Sequence, residues 1–260
     1  MALAVTGGGA ATDPTLEEEL HAFRELMLVP GARIDFGALG SSQAMKRVRS
    51  AEEARRLTDW ANLGRYRAGN HILRANGSAA VVFVGASIIE NWAQADPELF
   101  TNGCVNRGIG GQTSAHVLLR FMADVVRLGP RVVHLMVGTN DAAGNAGPVS
   151  DEEFRNNVVS MVEIAEAHGI RVIVSSIPPA GSFPWQPDVD PIGTIARWNG
   201  WLREFADERG HVYADYVAVL ADGSGGMRAE LTNDGVHPHR LGYDLMRPIV
   251  ERALREALDD

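Results

Sequence analysis

The stretch Ala80-Val81-Val82-Phe83-Val84-Gly85-Ala86-Ser87-Ile88-Ile89-Glu90 decides how this chain is read. Its first five residues are apolar and rich in β-branching, with no alternation of polar and apolar positions. That is the pattern of a strand covered on both faces. The run ends in a small-residue turn that carries a serine. Four further runs of the same kind follow, at Cys104–Arg107, Arg131–Val137, Arg171–Ser175 and Val212–Asp215.

Between these runs the apolar residues fall at helical spacing. Val117, Leu118, Phe121, Met122 and Val125 share one face, as do Phe154, Val158, Met161, Val162 and Ala165. Ile195, Trp198, Leu202 and Phe205 form a third set, with Trp198 and Trp201 as core and rim of their helix. Leu241, Leu245, Ile249, Val250, Ala253 and Leu254 form the last. Such stripes mark half-buried helices. Strands alternating with helices imply right-handed crossovers and a parallel sheet, so the fold class is α/β.

Upstream of Ala79 the pattern changes. Leu16, Leu20, Phe23 and Met27 predict a short amphipathic helix, and a second helical pattern runs from Ala51 to Leu73 through Leu57, Trp60 and Leu63. A Gly/Ser-containing loop, Pro30 to Ser42, separates the two. Residues 1–78 are therefore expected to be a tail and helical extension packed on an α/β domain spanning 79–260, with a lid or dimerisation element as the alternative. Met1 to Thr12, rich in Ala and Gly and without a basic residue, reads as a flexible tail. It does not have the pattern of a signal peptide.

With 260 residues, 45% of them hydrophobic and 22% charged, the chain can bury one sizeable core. A net charge of −9 argues against a nucleic-acid partner, which would require a basic face. Positive charge is almost all arginine, Lys46 being the only lysine. No apolar run approaches a membrane span. The expectation is a soluble protein, cytoplasmic or exported with a trimmed signal, with homo-oligomerisation left open. Cys104 is the only cysteine, which rules out an intrachain disulfide and is expected to be a small buried residue.

Open parallel sheets present their sites at the carboxyl ends of the strands. After the first strand comes Gly85-Ala86-Ser87-Ile88, after the second Gly108-Ile109-Gly110-Gly111-Gln112-Thr113, and after the third Gly138-Thr139-Asn140-Asp141. Asp234-Gly235-Val236-His237-Pro238 precedes the final helix. Together these supply what acyl transfer requires. A serine hydroxyl needs an imidazole to take its proton, the imidazole needs a carboxylate to fix its tautomer, and the tetrahedral intermediate needs donors aimed at its oxyanion.

These segments, in order, resemble four conserved blocks of the SGNH/GDSL hydrolase superfamily. The Asn106-x-Gly108-Ile109-Gly110-Gly111 stretch running into His116-Val117-Leu118 is similar to the branch that includes platelet-activating-factor acetylhydrolase catalytic subunits. The resemblance covers roughly Ala79 to Ala257. It implies a three-layer α/β/α, flavodoxin-like domain with a five-stranded parallel sheet. It places the nucleophile at Ser87, the triad acid and base at Asp234 and His237, and the oxyanion hole at the Ser87 amide, Gly111 and Asn140. No metal or organic cofactor is implied. The expected activity is hydrolysis of short-chain, acetyl-type esters of carbohydrate or other alcohols through a Ser87 acyl-enzyme.

The chain departs from the family pattern at Ala86, where aspartate is usual. A carboxylate there would cap the following helix, and losing such a cap costs about 0.5–2 kcal/mol. Two rival functions follow: an acyltransferase using the same triad, and a low-activity or non-catalytic binding protein on the same fold. Trp185 and Arg107 are candidate substrate contacts, Trp185 having a hydrophobic plug as its alternative role. Gly108–Gly111 could also be a simple turn or a phosphate cradle, but it lacks the Lys-Ser/Thr of a Walker loop. Asp234, His237 and His239 could be imagined as zinc ligands, although no further ligand set accompanies them. His71, His116, His134, His211, Ser175 and Ser176 are assigned structural roles.

Overall fold

Five short strands, β1 (Val81–Gly85), β2 (Cys104–Gly108), β3 (Val132–Met136), β4 (Arg171–Ser175) and β5 (Val212–Ala214), pair in parallel in the computed structural model, in the order β2-β1-β3-β4-β5. Residues 14–77 and 79–259 are described. The tail expected at Met1–Thr12 lies outside them. The strand ends differ from the sequence reading by one residue at most, and β4 matches it at both ends.

Because side chains alternate along a strand, each one feeds two cores. Val82, Val84, Val133, Leu135, Val172 and Val174 point to one face, where they meet Val117, Phe121, Phe154, Val158, Ile195 and Trp198. Those residues come from α6 (Ser114–Asp124), α8 (Asp151–Ala167) and α9 (Ile192–Arg209). Val81, Phe83, Val132, Met136 and Ile173 point to the other, against Leu28, Ile89, Trp92, Tyr243, Met246 and Val250. These are carried by α1 (Pro14–Leu28), α5 (Ser87–Ala95) and α11 (Arg240–Asp259). The result is the expected three-layer sandwich. Each fully buried large side chain contributes about 1.5–3 kcal/mol through removal from water.

Glycines at the strand ends let the helix that begins at Ser87 sit directly on the sheet. A Cβ at Gly108 would collide with the backbone nitrogen of Glu90. No side chain fits there, so β2 and the first turn of α5 meet backbone to backbone.

The helical extension departs from the sequence reading in two places. The loop Pro30–Ser42 contains a short helix, α2 (Phe36–Ser41), whose cap Asp35 accepts from the Ala38 N–H at 2.9 Å. The pattern read as helical from Ala51 to Leu73 is broken in the middle: α3 (Gln43–Arg56) ends inside it and α4 (Arg67–Asn76) takes up only its last part. Turns join them, held by the Asp59 carboxylate accepting from the N–H groups of Leu63 at 2.7 Å and Gly64 at 2.8 Å. Leu57 is 87% exposed, so helical spacing here did not mark a buried face. The first helix is found as expected, with Met27 and Leu28 buried; the Leu16 side chain lies outside the described residues.

Candidate active site

Ser87 is the first residue of α5, at the carboxyl end of β1. His237 and Asp234 lie on the loop that precedes α11. Although 150 positions separate them, Ser87 Oγ and His237 Nε2 are 2.9 Å apart. His237 Nδ1 lies 2.6 Å from Asp234 Oδ2. The other oxygen, Asp234 Oδ1, accepts from the backbone N–H groups of Val236 (2.9 Å) and His237 (2.8 Å) and from Thr232 Oγ1 (3.1 Å). The carboxylate therefore fixes the loop with one oxygen and the imidazole with the other. With Nδ1–H donated to Asp234, the lone pair on Nε2 faces the serine hydroxyl.

The electrostatics agree with that assignment. Burial alone would push the Asp234 carboxyl up, its side chain being 3% exposed. The His237 charge and the hydrogen bonds from His237 and Val236 outweigh burial and hold it at about 2. Burial pulls His237 down, but the Asp234 charge and its hydrogen bond reverse the shift and leave the imidazole raised above its ordinary value. An ion pair of this kind favours the imidazolium that forms when a serine loses its proton.

The three donors expected for an oxyanion hole are the Ser87 N–H, the Gly111 N–H and the Asn140 amide. The Ser87 N–H belongs to the first turn of α5, whose cap residue, Ala86, offers no side-chain acceptor. Gly111 adopts φ +76°, a left-handed conformation that glycine tolerates without strain. Its neighbours are already occupied: the Gly110 N–H donates to Glu90 Oε2 at 2.8 Å and the Ile109 N–H to the Gly85 carbonyl at 3.1 Å. Asn140 is the second residue of the one-turn helix α7 (Thr139–Ala142) and is 4% exposed. Its Nδ2 donates to the Gln112 carbonyl at 2.9 Å and its Oδ1 accepts from Asn145 Nδ2 at 2.6 Å. The next residue, Asp141, anchors α7 by accepting from the Ser114 N–H at the start of α6.

Comparison with known proteins gives this geometry a family. The sequence model of the GDSL-like lipase/acylhydrolase family matches residues 77–245. The chain belongs to that family. Among solved structures, a GDSL-like lipase from Bacteroides thetaiotaomicron is 35% identical, with a TM-score of 0.73, over 76% of this chain and 100% of its own. Among curated proteins, an uncharacterised lipoprotein of Bacillus subtilis, YqeF, is 41% identical over 78 residues, 29% of this chain and 32% of its own length. The esterase TesA of Pseudomonas aeruginosa is 28% identical over 138 residues, 52% of this chain and 60% of its own. The chain thus spans about a third and three-fifths of the curated relatives it matches. No helix among the described residues is long and apolar enough to cross a membrane.

Of the two candidate substrate contacts in this GDSL-family chain, the structure brings one to the site. Trp185 is 39% exposed, with its ring 6.1 Å from that of His237 and 5.4 Å from that of Phe183. Arg107 is a correction. It is 6% exposed, its Nε donates to Asn70 Oδ1 at 2.9 Å, and its guanidinium lies 4.6 Å from the ring centroid of Tyr66. Both partners belong to the helical extension, and no local pattern pairs them with Arg107. The same network continues through Asn70 to Asp124 (2.6 Å) and from Asp124 to the fully buried Arg120 (3.1 Å). Arg120 in turn holds Gln112 Oε1 at 2.6 Å and the Gly85 carbonyl at 2.9 Å, bracing both loops that flank Ser87.

The extension reaches the triad from the other side too. Asn233 Nδ2, next to Asp234, donates to the carbonyls of Met27 and Val29 at the end of α1, both at 2.9 Å. Arg24 and Arg65 pair with Glu90, the carboxylate that holds Gly110. Glu90 escaped the sequence reading, although its place one turn after Ser87 was a usable signal. Asn145 had no signal at all.

The remaining candidates lie elsewhere. His134 is fully buried against the Tyr216 hydroxyl at 2.8 Å, and burial pushes it down to about 3. His116 stacks on Trp60 at 3.9 Å and completes the α6 capping box. His211 pairs with Glu166, and Ser176 Oγ accepts from the Tyr216 N–H. Among the described residues no group of three His, Cys, Asp or Glu is placed to hold a metal ion. Cys104 is half-buried.

Proposed function

We propose that this chain is a serine ester hydrolase acting on short, acetyl-type acyl groups through a Ser87 acyl-enzyme. The observation that carries the reading is the contact pair Ser87 Oγ–His237 Nε2 at 2.9 Å and His237 Nδ1–Asp234 Oδ2 at 2.6 Å, inside a chain of the GDSL-like lipase/acylhydrolase family. His237 takes the Ser87 proton as the hydroxyl oxygen attacks the ester carbonyl, and the carbonyl oxygen becomes an anion held by the Ser87 and Gly111 N–H groups and the Asn140 amide. Collapse of the intermediate expels the alcohol, to which His237 returns the proton. In the second half-reaction His237 deprotonates water, which releases the acid and restores Ser87.

The recess beside Ser87 supports the acyl preference. Its lining includes Ala86, Ile88, Met136, Val137 and Thr139, and it has room for roughly a single water-sized group. A methyl fits and a long acyl tail does not. Trp185 offers the alcohol half of the ester a half-exposed aromatic wall, which suits a sugar or aryl leaving group. The test is hydrolysis of p-nitrophenyl acetate, butyrate and octanoate by the wild type and by Ser87→Ala. Turnover is expected to be highest on acetate and abolished by the substitution. Undiminished turnover in Ser87→Ala would refute the mechanism, and transfer to an added alcohol in preference to water would assign the chain as an acyltransferase.

A further inference from the structure

We propose that Asn145 is a positioning residue for the oxyanion hole, and that Trp185 sets its orientation; this rests on the reading of Asn140 as an oxyanion donor. A carboxamide is nearly symmetric in shape, so a buried Asn can present either its NH2 or its oxygen to a given point. For Asn140 the difference is decisive: one orientation aims an N–H at the developing anion and the other aims an oxygen at it.

The contacts around Asn140 select the first orientation from both sides. Its Nδ2 donates to the backbone carbonyl of Gln112 at 2.9 Å, an acceptor that cannot donate. Its Oδ1 accepts from Asn145 Nδ2 at 2.6 Å. A flip would set oxygen against oxygen at Gln112 and NH2 against NH2 at Asn145. The second N–H of Asn140 has no acceptor among the described residues and remains for a ligand.

Asn145 is itself a carboxamide and needs its own polarity fixed. Trp185 does this, because its indole N–H can only donate, and it donates to Asn145 Oδ1 at 2.9 Å. The direction of the chain is therefore set at both ends: a donor-only indole, two amides in register and an acceptor-only carbonyl. The Asn145 N–H also donates to the Asn140 carbonyl at 3.0 Å, closing the short loop that keeps the two amides together. Since the Trp185 ring also lies 6.1 Å from the His237 ring, the residue that borders the leaving group also orients the oxyanion donor.

Steady-state kinetics on p-nitrophenyl acetate test this with Ser87→Ala, Asn140→Ala, Asn145→Ala, Trp185→Phe and the Asn140→Ala/Asn145→Ala double variant, each verified as folded by near-UV circular dichroism. Asn140→Ala is expected to lower kcat about 10²–10³-fold, the usual effect of losing an oxyanion donor. Asn145→Ala removes one of two locks and should lower kcat about 10-fold on that scale, with KM nearly unchanged. Trp185→Phe, which keeps a ring and loses the N–H, should lower kcat in the same sense. In the Asn140→Ala background Asn145→Ala should cost nothing further, the non-additivity expected of residues acting through one group. Wild-type kcat in Asn145→Ala beside a depressed Asn140→Ala, or losses that multiply in the double variant, would overturn this inference alone. Activity in Asn140→Ala equal to wild type, with Ser87→Ala inactive, would overturn the role of Asn140 and the inference with it. Turnover in Ser87→Ala would overturn the proposed function itself.

Discussion

Replacing Asp234 by asparagine keeps the shape of the side chain and removes its charge. The asparagine Oδ1 can still accept from the N–H groups of Val236 and His237, at 2.9 and 2.8 Å, so the loop keeps its form. The NH2 group then faces His237 Nδ1 in place of an acceptor 2.6 Å away. The imidazole must move its proton to Nε2, and the nitrogen that should accept the Ser87 proton now carries one. In a Ser-His-Asp hydrolase this wrong tautomer lowers kcat about 10⁴-fold, and that is the size expected here. Two further consequences have definite signs. Wild-type activity requires neutral His237, whose pKa is raised by Asp234, so the acid limb of the pH–rate profile should lie above the ordinary histidine value of about 6.5. In Asp234→Asn only the lowering effect of burial remains, and residual activity should persist to lower pH. Stability responds separately. Asp234 is held at about 2 against an ordinary 3.8, a difference of roughly 2 kcal/mol that is present above pH 4 and lost as pH falls through about 2. The raised His237 contributes in the opposite window, below about 6.5, and its contribution is lost as pH rises through its folded value. Stopped assays on p-nitrophenyl acetate from pH 5 to 9, with urea melts at several pH values from 2 to 9, measure all three. A kcat within a few-fold of wild type and an unmoved acid limb would refute the triad assignment.

Arg120→Ala should cost about 3–5 kcal/mol in urea denaturation, because it strands the Asp124 carboxylate, 1% exposed, without its ion-pair partner; a loss below about 1 kcal/mol would show that the buried pair is dispensable. Ala86→Asp supplies the side-chain acceptor that the cap position of α5 lacks and should add about 1 kcal/mol, raising Tm by roughly 2–4 °C and raising kcat/KM. A fall in Tm would show that the recess beside Met136 cannot take the larger side chain.

The α/β core was legible because its signal is local. Val81 to Val84 and Arg171 to Ser175 are apolar runs that could only be strands buried on both faces, and the burial of all five β1 residues follows directly. The contact of Ser87 with His237 and Asp234 was legible through the order of their loops more than through Ser87 itself. The extension was less so. Leu57, Trp60 and Leu63 keep helical spacing, but Asp59, Asn62 at φ +57° and Gly64 are turn residues, and their chemistry prevailed over periodicity. Arg107 was misread because its partners, Tyr66 and Asn70, lie far away in sequence, and pairing across such a distance leaves no mark in a single chain. Asn145 was invisible for a different reason: nothing about an asparagine five residues after another distinguishes a polar relay from an ordinary loop.

The tie between Asn233 and the end of α1 joins residues about 206 positions apart, and Ser87 meets His237 across 150. Contacts closing loops of that length come late in folding, after the local helices and the neighbouring strand pairs have formed. Regained esterase turnover is therefore a more demanding criterion of correct refolding than regained helicity. A chain whose layers have assembled but whose α1 has not docked would pass a spectroscopic test while still lacking the brace on the loop that carries Asp234.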